Sequence, residues 1–357
     1  MTELEAMQHA LALAWKGWGR VHPNPMVGAV VLEDSRPVAE AYHAEFGSAH
    51  AERSAIETAG ARARGATVVV TLEPCAHRGK QPPCVEVLIS AGVRRVVAAA
   101  ADPNPIARGG AEALRHAGIE VELGLLADAA RRQNAAFFHR FGGNRRPWVA
   151  LKLATSLDFR IADAGGRSRW ISGPEARSFI HGLRAGFEAI AVGGRTAMLD
   201  DPSLTARVTP PPRIPARRVI FAGQAELHET LQLVRTARDV PTTVIAPPAS
   251  VDLCRERLLT TGVDCITASS LTEALESLWG EGVASVLVEG GGKLAGSLLA
   301  AGLVDRFYWI QAPLWLGGYG TPAVSGWNVD ALDSAERWIV IDQRRLGDDA
   351  LLVLDRA

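Results

Sequence analysis

Residues 67–99 read TVVVTLEPCAHRGKQPPCVEVLISAGVRRVVAA and contain one complete unit of alternating structure. Thr67–Leu72 and Arg95–Ala99 are short β-branched or apolar runs of the kind that form buried strands. Pro83–Ala91 has the spacing of a helix, and Gly92 follows it where a left-handed residue commonly ends one. The stretch therefore predicts a strand, a loop with cysteines, a helix and a second strand, which is the repeating unit of a layered α/β domain.

The same alternation extends in both directions from this unit. In the first part of the chain it predicts further strands at Val27–Leu32 and Val121–Leu123, and further helices at Glu3–Trp18, His50–Thr58, Gly110–Ala117 and Leu126–Arg140. After residue 147 it predicts strands at Trp148–Ala154, Ala189–Gly193, Arg218–Ala222, Thr242–Ala246, Ser285–Glu289 and Arg306–Ala312. It also predicts helices there at Pro174–Ala185, Val251–Thr261, Leu271–Trp279 and Lys293–Ala301.

A break in the alternation marks a domain boundary. Residues 142–147 read GGNRRP and combine flexible glycines, charges and a proline, as linkers do. A chain of 357 residues is long enough for two domains at roughly 150 residues each. We therefore predict one domain over residues 1–143 and a second over residues 147–357.

Composition excludes several classes of protein. Hydrophobic residues make up 48% and charged residues 22%, which is typical of folded proteins rather than disordered ones. The formal net charge of −1 provides no overall field for nucleic acid or an anionic membrane. The longest charge-free stretch, residues 307–329, contains prolines and four glycines and does not suit a membrane helix. Since the first residues lack a secretory signal pattern, we expect a cytoplasmic protein without nucleic-acid or membrane partners.

Histidine and cysteine residues in the first half have the types and order of a zinc site. His50, Cys75 and Cys84 provide three ligands, which would leave the fourth position of tetrahedral zinc open for water. Glu52 follows His50 by two residues and is suited to carry a proton, as in deaminases with an H-x-E and P-C…C pattern. His77 is a rival ligand in the loop between the cysteines. The pattern predicts a zinc-dependent deaminase, while a nucleic-acid deaminase and a purely structural zinc module remain alternatives.

Several motifs of the first half together resemble a known family, the bifunctional deaminase/reductases of riboflavin biosynthesis. The motifs are residues 22–28 (HPNPMVG), Tyr42–His43, Gly47, residues 50–52 (HAE), the 71–84 frame and residues 102–105 (DPNP). The resemblance implies a cytidine-deaminase-like three-layer domain with one zinc ion on His50, Cys75 and Cys84. It implies Glu52 as the proton shuttle and Asn24 as a pyrimidine contact. The implied substrate is 2,5-diamino-6-ribosylamino-4(3H)-pyrimidinone 5′-phosphate.

The second half resembles the reductase of the same family in segments that include residues 151–158 (LKLATSLD), 168–171 (SRWI), 200–202 (DDP), 204–207 (LTAR) and 289–292 (EGGG). The resemblance implies a dihydrofolate-reductase-like fold that uses NADPH to reduce the ribosyl group to ribityl. The implied substrate contacts are Ser168, Arg184, Leu204, Arg207 and Glu289. The implied NADPH contacts are Ala154, Trp170, Thr196, Asp200, Gly291, Gly292, Lys293, Leu294, Ala295, Gly296 and Ser297. Lys152 and Asp200 are both candidates for the proton donor of the reduction.

Four residues of this half depart from the family pattern. Phe159 replaces a usual glycine, Asp163 and Arg167 replace a usual Thr and Glu, and Ala222 ends a strand where Asp is common. A phenylalanine held at positive φ costs about 1 kcal/mol or more. Arg167 is a candidate for contact with the 2′-phosphate of the cofactor. An alternative is therefore a zinc deaminase joined to a catalytically degenerate reductase-like module, and a homodimer is an open expectation because sequence does not give oligomeric state.

Overall fold

The structure is a computed structural model that describes residues 1–79 and 81–357. It divides into two compact units, Met1–Asn144 and Arg145–Ala357, and each unit has its own sheet and hydrophobic core. Both units combine helices with strands, so the predicted α/β fold class is confirmed. None of the helices within the described residues has the length and apolar character needed to span a lipid bilayer.

The first unit packs helices on a mixed five-stranded sheet. The helices are α1 (Glu3–Ala14), α2 (Ala51–Ala59), α3 (Cys84–Ala91), α4 (Gly110–His116), α5 (Ala127–Gln133) and α6 (Ala135–Phe141). The strands are β1 (Gly28–Glu33), β2 (Arg36–Tyr42), β3 (Thr67–Val70), β4 (Arg95–Ala98) and β5 (Glu120–Leu123). The sheet order is β2-β1-β3-β4-β5, with β1 antiparallel to both neighbours and β3, β4 and β5 parallel.

Buried valines form the centre of this first unit, and Val30, Val69 and Val97 are each fully buried. Helix α1 lies directly on β1 because Gly28 has no side chain: a Cβ there would be 2.0 Å from the Ala10 carbonyl oxygen. The close packing holds the start of β1, and with it the preceding loop that carries Asn24, against the rest of the unit.

The second unit is built on a nine-stranded sheet. Its helices are α7 (Pro174–Arg184), α8 (Gly194–Asp200), α9 (Gln232–Arg235), α10 (Pro248–Leu258), α11 (Leu271–Gly280) and α12 (Gly292–Ala300). Its strands are β6 (Trp148–Thr155), β7 (Arg160–Ala162), β8 (Ala189–Gly193), β9 (Arg217–Phe221), β10 (Thr242–Ala246), β11 (Asp264–Thr267), β12 (Ser285–Glu289), β13 (Arg306–Gln311), β14 (Thr321–Pro322), β15 (Trp338–Leu346) and β16 (Asp349–Arg356).

The order of this sheet is β11-β10-β9-β8-β12-β6-β13-β16-β15. All pairs from β11 to β13 are parallel, and β16 and β15 add an antiparallel hairpin at one edge. Strands β7 and β14 form a separate small ribbon. The parallel arrangement brings the carboxyl ends of several strands to one edge, where ligands bind in open α/β sheets.

The helix predicted over Leu126–Arg140 is wrong, because the structure has two helices there that meet at Asn134. Asn134 is buried and turns its amide toward Met26. Its Oδ1 accepts from the Met26 backbone N–H at 2.8 Å, and its Nδ2 donates to the Met26 carbonyl at 2.9 Å. The helix breaks where this asparagine uses its side chain to hold the loop before β1.

Other differences from the predicted elements have local causes. The helix predicted over Glu3–Trp18 is α-helical only to Ala14 and continues as a 3₁₀ turn to Gly17. Strand β2, helix α8 and the β15–β16 hairpin were absent from the sequence prediction. Strand β15 lies at the sheet edge and is exposed at most positions, so it lacks the buried apolar pattern on which the strand predictions rested.

Candidate functional site

Three predicted metal ligands converge in the first unit. His50 immediately precedes α2, Cys75 follows β3 in a loop, and Cys84 is the first residue of α3. One ligand atom from each lies within 4.8 Å of the other two, and the imidazole Nδ1 of His50 is 3.3 Å from Cys84 Sγ and 3.6 Å from Cys75 Sγ. Among the described residues this is the one such cluster of His, Cys, Asp and Glu side chains, and it does not include His77.

The side chains of the two cysteines in the cluster are hydrogen-bonded to each other. The Cys84 thiol donates toward Cys75 Sγ, and the Cys84 backbone N–H also donates to this sulfur at 3.4 Å. Together with His50 these contacts lower the pKa of Cys75 to about 4, whereas the same contact and burial raise the pKa of Cys84. One imidazole nitrogen and two sulfurs at this spacing fit zinc with one open coordination position.

Glu52 lies beside this cluster and is only 4% exposed. It is the second residue of α2, two residues beyond His50, which precedes the helix. Burial raises the pKa of its carboxyl, although His50 and a hydrogen bond with Cys84 oppose the shift. A buried carboxyl whose pKa is moved toward neutrality can both accept and return a proton.

A residue without a predicted role, His43, fixes the orientation of Asn24. The Asn24 amide nitrogen lies 3.1 Å from His43 Nε2, and His43 Nδ1 lies 3.1 Å from the Ala49 carbonyl. Burial lowers the pKa of His43, so the ring is neutral, donates from Nδ1 and accepts at Nε2. The Tyr42–His43 pair was part of the sequence pattern, but its link to Asn24 depends on the fold.

The loop after β4 closes this region from another side. Asp102 is buried, and burial raises its pKa to about 6. The buried carboxylate of Glu73 accepts from the backbone N–H groups of Asp102, Gly109 and Ala111 at 2.9 to 3.2 Å. The loop after β4 is thus held in place mainly by Glu73.

His77 has a buried Nδ1 without a hydrogen-bond partner among the described residues.

A cavity of about 1420 Å³ opens in the second unit at the carboxyl ends of β6, β8, β9, β10 and β12. It brings together most residues predicted for the reductase: Ala154, Ser168, Trp170, Arg184, Thr196, Asp200, Leu204, Arg207, Glu289, Gly291, Gly292, Lys293, Leu294 and Ser297. Two predicted contacts do not line it. Ala295 is fully buried in the core, and Gly296 lies against residue 325, where a Cβ would be 2.1 Å from the Ser325 carbonyl oxygen.

A buried ion pair lies in the wall of the cavity. Arg184 donates from Nε and Nη2 to the two carboxylate oxygens of Glu289 at 2.5 and 2.9 Å, and from Nη1 to the Thr205 carbonyl at 3.0 Å. Against the effect of burial, Arg184 and Lys152 hold the pKa of Glu289 below its usual range. Burial lowers the pKa of Lys152, the neighbour of Glu289 in the β6–β12 register.

The Arg184 fork is thus occupied by Glu289, while Arg207 is exposed and bonded only to the Ser203 hydroxyl at 2.9 Å among the described residues. Arg207 is therefore the more available of the two arginines for a phosphate group.

The loop before α7 presents Trp170 to the cavity. The Ser168 hydroxyl donates to Asp200 Oδ1 at 2.9 Å, and the Arg169 guanidinium donates to the Asp200 carbonyl. Trp170 is 70% exposed and lies under the Arg177 guanidinium, 4.7 Å from the ring centre. An exposed indole ring fixed in this way is a surface on which a flat ring can stack.

The departures from the family pattern have definite positions. Phe159 has a φ of +58° in the tight turn between β6 and β7, and its ring lies 5.1 Å from that of Trp309. Its backbone N–H donates to the Ser156 carbonyl at 3.1 Å. Arg167 donates to the Asp163 carboxylate at 2.7 Å, so its guanidinium is paired within its own loop.

Comparisons with known proteins cover both units. The family model of the RibD C-terminal domain matches residues 147–352, and that of the cytidine and deoxycytidylate deaminase zinc-binding region matches residues 1–100. The chain is 37% identical to the riboflavin biosynthesis protein RibD of Actinobacillus pleuropneumoniae, over 99% of this chain and 95% of that protein. It is 36% identical to RibD of Escherichia coli strain K12, over 98% of each.

Two solved structures are similar over 99% of both chains and 34% identical in sequence. They are form 1 of Acinetobacter baumannii RibD, with a TM-score of 0.85, and a Thermotoga maritima protein, with a TM-score of 0.87. The latter is described as a diaminohydroxyphosphoribosylaminopyrimidine deaminase/5-amino-6-(5-phosphoribosylamino)uracil reductase. Since 99% of this chain is covered, the similarity extends over both units.

Proposed function

The chain belongs to the RibD family of riboflavin biosynthesis, and from this premise we propose which of its residues carry out each of the two reactions. The protein is a bifunctional deaminase and reductase that uses zinc and NADPH and acts on a small molecule. We assign the deaminase to residues 1–143 and the reductase to residues 147–357. The proposed substrate is 2,5-diamino-6-ribosylamino-4(3H)-pyrimidinone 5′-phosphate.

The observation that carries the deaminase assignment is the convergence of three ligand atoms within 4.8 Å beside buried Glu52. His50, Cys75 and Cys84 would hold the zinc, and Asn24, oriented by His43, would contact the pyrimidine ring. A zinc ion supplies polarisation that makes water nucleophilic at neutral pH. Glu52 takes a proton from the attacking water and delivers it to the exocyclic amine; a C–O bond forms, the C–N bond breaks and ammonia leaves.

Replacement of Glu52 by Gln tests this assignment. Glu52→Gln keeps the size of the side chain but cannot exchange a proton, so zinc content should stay at one per chain while ammonia release falls about 10²- to 10⁴-fold. Zinc is measured by metal analysis and ammonia by a coupled assay. A variant that retains both zinc and full ammonia release removes Glu52 from the reaction.

For the reductase we propose that the cavity at the strand ends holds NADPH and the sugar phosphate together. NADPH, when bound, supplies a hydride. The hydride adds to C1′ of the ribosyl group, the bond from C1′ to the ring oxygen breaks, and that oxygen takes a proton from the protein. Arg207 would contact the phosphate, and Trp170 would stack on a ring of the cofactor.

Lys152 is the better placed of the two candidate proton donors. It is half-buried at the cavity wall beside Glu289, and desolvation there lowers its pKa. The side chain of Asp200 instead accepts a hydrogen bond from the Ser168 hydroxyl at 2.9 Å and is engaged with the loop before α7. Lys152→Met should therefore abolish NADPH oxidation with little effect on NADPH binding, and retained oxidation would point back to Asp200.

One experiment separates the bifunctional enzyme from a deaminase with a degenerate module. Pure zinc-loaded protein is incubated with the diaminopyrimidine substrate, with and without NADPH, and ammonia and NADPH are followed together. We expect ammonia in both samples and NADPH oxidation in the second. Ammonia without NADPH oxidation would support only the deaminase residues assigned above. A cytoplasmic location and a homodimer stay predictions.

A further inference from the structure

The reductase cavity contains more cationic side chains than its two carboxylates can neutralise. The cations that line it are Lys152, Arg169, Arg177, Arg184, Arg195, Arg207 and Lys293. The carboxylates that line it among the described residues are Asp200 and Glu289. A substrate phosphate and the phosphates of NADPH need such an excess of positive charge, so the position of each cation bears on which phosphate it contacts.

Most of these cations already have partners within the protein. Arg184 is paired with Glu289, Arg177 donates to the Ser172 carbonyl at 2.6 Å, and Arg169 donates to the Asp200 carbonyl. Arg207 donates to Ser203, and Lys152 is half-buried beside Glu289, its neighbour in the β6–β12 register. Within residues 1–79 and 81–357, Arg195 and Lys293 have neither a hydrogen bond nor an ion pair, and both are exposed.

Arg195 lies at the end of the cavity formed by β9 and β10. It follows β8 by two residues, and the register pairs Gly193 of β8 with Phe221 of β9. Gly194 packs so closely on the next turn of chain that a Cβ would be 2.6 Å from the Ala222 carbonyl oxygen. The backbone of Arg195 is therefore fixed beside Ala222, with its guanidinium free to turn into the cavity.

The end of β9 offers no carboxylate. Ala222, Gly223, Ala246 and Pro247 line this part of the cavity, and both lining carboxylates come from other elements, Asp200 from α8 and Glu289 from β12. In dinucleotide-binding domains of the Rossmann type a carboxylate binds the free ribose 2′-hydroxyl of NAD, whereas a nearby arginine binds the 2′-phosphate of NADP. This chain has the arginine and lacks the carboxylate.

We propose that Arg195 binds the 2′-phosphate of NADPH and so makes this chain select NADPH over NADH. The guanidinium can place two N–H groups on two phosphate oxygens, which a ribose hydroxyl cannot match. Lys293 is the second residue of α12, directly after the glycine turn, and contacts the pyrophosphate, which both cofactors share. The inference rests on the proposed cofactor site in this cavity.

The test measures binding by the full chain rather than turnover. Dissociation constants of NADPH, NADH and 2′,5′-ADP are determined by calorimetry for the natural protein and for Arg195→Gln, Arg195→Lys and Lys293→Gln. Arg195→Gln should weaken the binding of NADPH and of 2′,5′-ADP about 10- to 100-fold, since a hydrogen bond to a charged group is lost. NADH should change by less than about twofold.

The other variants separate the explanations. Arg195→Lys keeps the charge but loses the two-pronged contact, so its preference for NADPH should be intermediate, and it also serves if the Gln variant does not fold. Lys293→Gln should weaken the binding of NADPH and of NADH by similar factors. Arg235→Gln removes an exposed arginine of α9 outside the cavity and should change neither.

Equal weakening of both cofactors by Arg195→Gln, or no weakening, would overturn the role of Arg195. If Arg195→Gln does not fold, the Lys variant decides: a ratio of NADPH affinity to NADH affinity in Arg195→Lys equal to that of the natural protein would also overturn the role of Arg195. Failure of the natural protein to bind NADPH in this cavity would instead contradict the proposed cofactor site. The two failures are distinguished because the first concerns only the ratio of the two affinities.

Discussion

Glu289 shows how a carboxylate keeps its charge inside the reductase cavity. It is 8% exposed, yet both of its oxygens are bonded to Arg184 and its pKa is held down. A pair of this kind contributes little over an apolar pair of the same shape, but loss of one partner leaves an unpaired buried charge. The main effect of the ion pair is therefore to hold the Arg184 side chain and the end of β12 in position, and its net contribution to stability is small.

We expect Glu289→Gln to lower the free energy of unfolding by about 3 kcal/mol at pH 7, because Arg184 is left without its counter-charge. The folded-state pKa of Glu289 lies below the unfolded value near 4.5, so its stabilising effect is complete above that pH and is lost as the pH falls through the folded-state pKa. The free energies of unfolding of the variant and of the natural protein are measured by urea unfolding at pH 7 and pH 4. The difference between the two proteins should be smaller at pH 4. Replacement of both partners, Arg184→Met with Glu289→Leu, should cost less than the single change; an equal or larger cost would contradict the explanation.

Phe159 tests the cost of a side chain in the left-handed region. Both Phe159→Gly and Phe159→Ala remove the ring contact with Trp309, so their difference isolates the backbone at φ +58°. The Gly variant should be more stable than the Ala variant by about 1 kcal/mol, the reverse of the usual order of these residues. Thermal unfolding of the two variants measures this, and an Ala variant at least as stable as Gly would show that the turn is not strained.

At the scale of residues, the sequence predicted that His50, Cys75 and Cys84 belong together because they have a distinctive type and order, and the structure brings the three into one cluster that could hold a metal ion. It did not predict the hydrogen bond of His43 to Asn24, which joins residues 19 positions apart through the start of β1 and the end of β2. Nor could it predict that Arg184 is paired with Glu289, 105 positions away, because the pairing depends on the order of strands in the sheet.

At the scale of elements, the break between α5 and α6 links the end of the first unit to the loop before β1, which carries Asn24. Asn134 holds both backbone groups of Met26, two residues from Asn24. Periodicity predicted one helix here because the apolar spacing continues through Asn134. The break follows from a contact across 108 positions, which no local pattern contains.

Asn134→Ala should lower the free energy of unfolding by about 2–4 kcal/mol, because two backbone groups of Met26 lose their partners in a buried place. Hydrogen exchange of the Met26 amide should accelerate as well. Asn134→Asp keeps the acceptor and loses the donor, so its Met26 amide should remain protected while its stability is intermediate. An unchanged exchange rate in the Ala variant would show that the loop is held by other contacts.

The strands that form the floor of the reductase cavity were predicted nearly to the residue, because buried β-branched runs are unambiguous. Strand β2 and the β15–β16 hairpin were missed because half-exposed or edge strands carry mixed side chains. The fold class could therefore be predicted from the buried strands, whereas the full width of each sheet could not.

At the scale of the whole molecule, each unit contains a complete candidate site of its own. Zinc removal by a chelator should therefore abolish ammonia release while NADPH binding and oxidation with the deaminated product continue. Ammonia and NADPH are followed in parallel, and added zinc should restore the first activity. If chelation abolished both activities, the explanation that the two sites work independently would be contradicted.

The two glycines of α12 set a limit on how this protein can evolve. A β-carbon at Gly292 would be 2.4 Å from the Pro322 carbonyl oxygen, and one at Gly296 would meet residue 325 at 2.1 Å. A side chain at either glycine is therefore excluded by the backbone it would meet, whereas Lys293 and Ser297 are exposed and side chains of other sizes fit there. Lineages descended from this chain can thus retune the charge around their cofactor along one side of the helix while its other side stays unchanged.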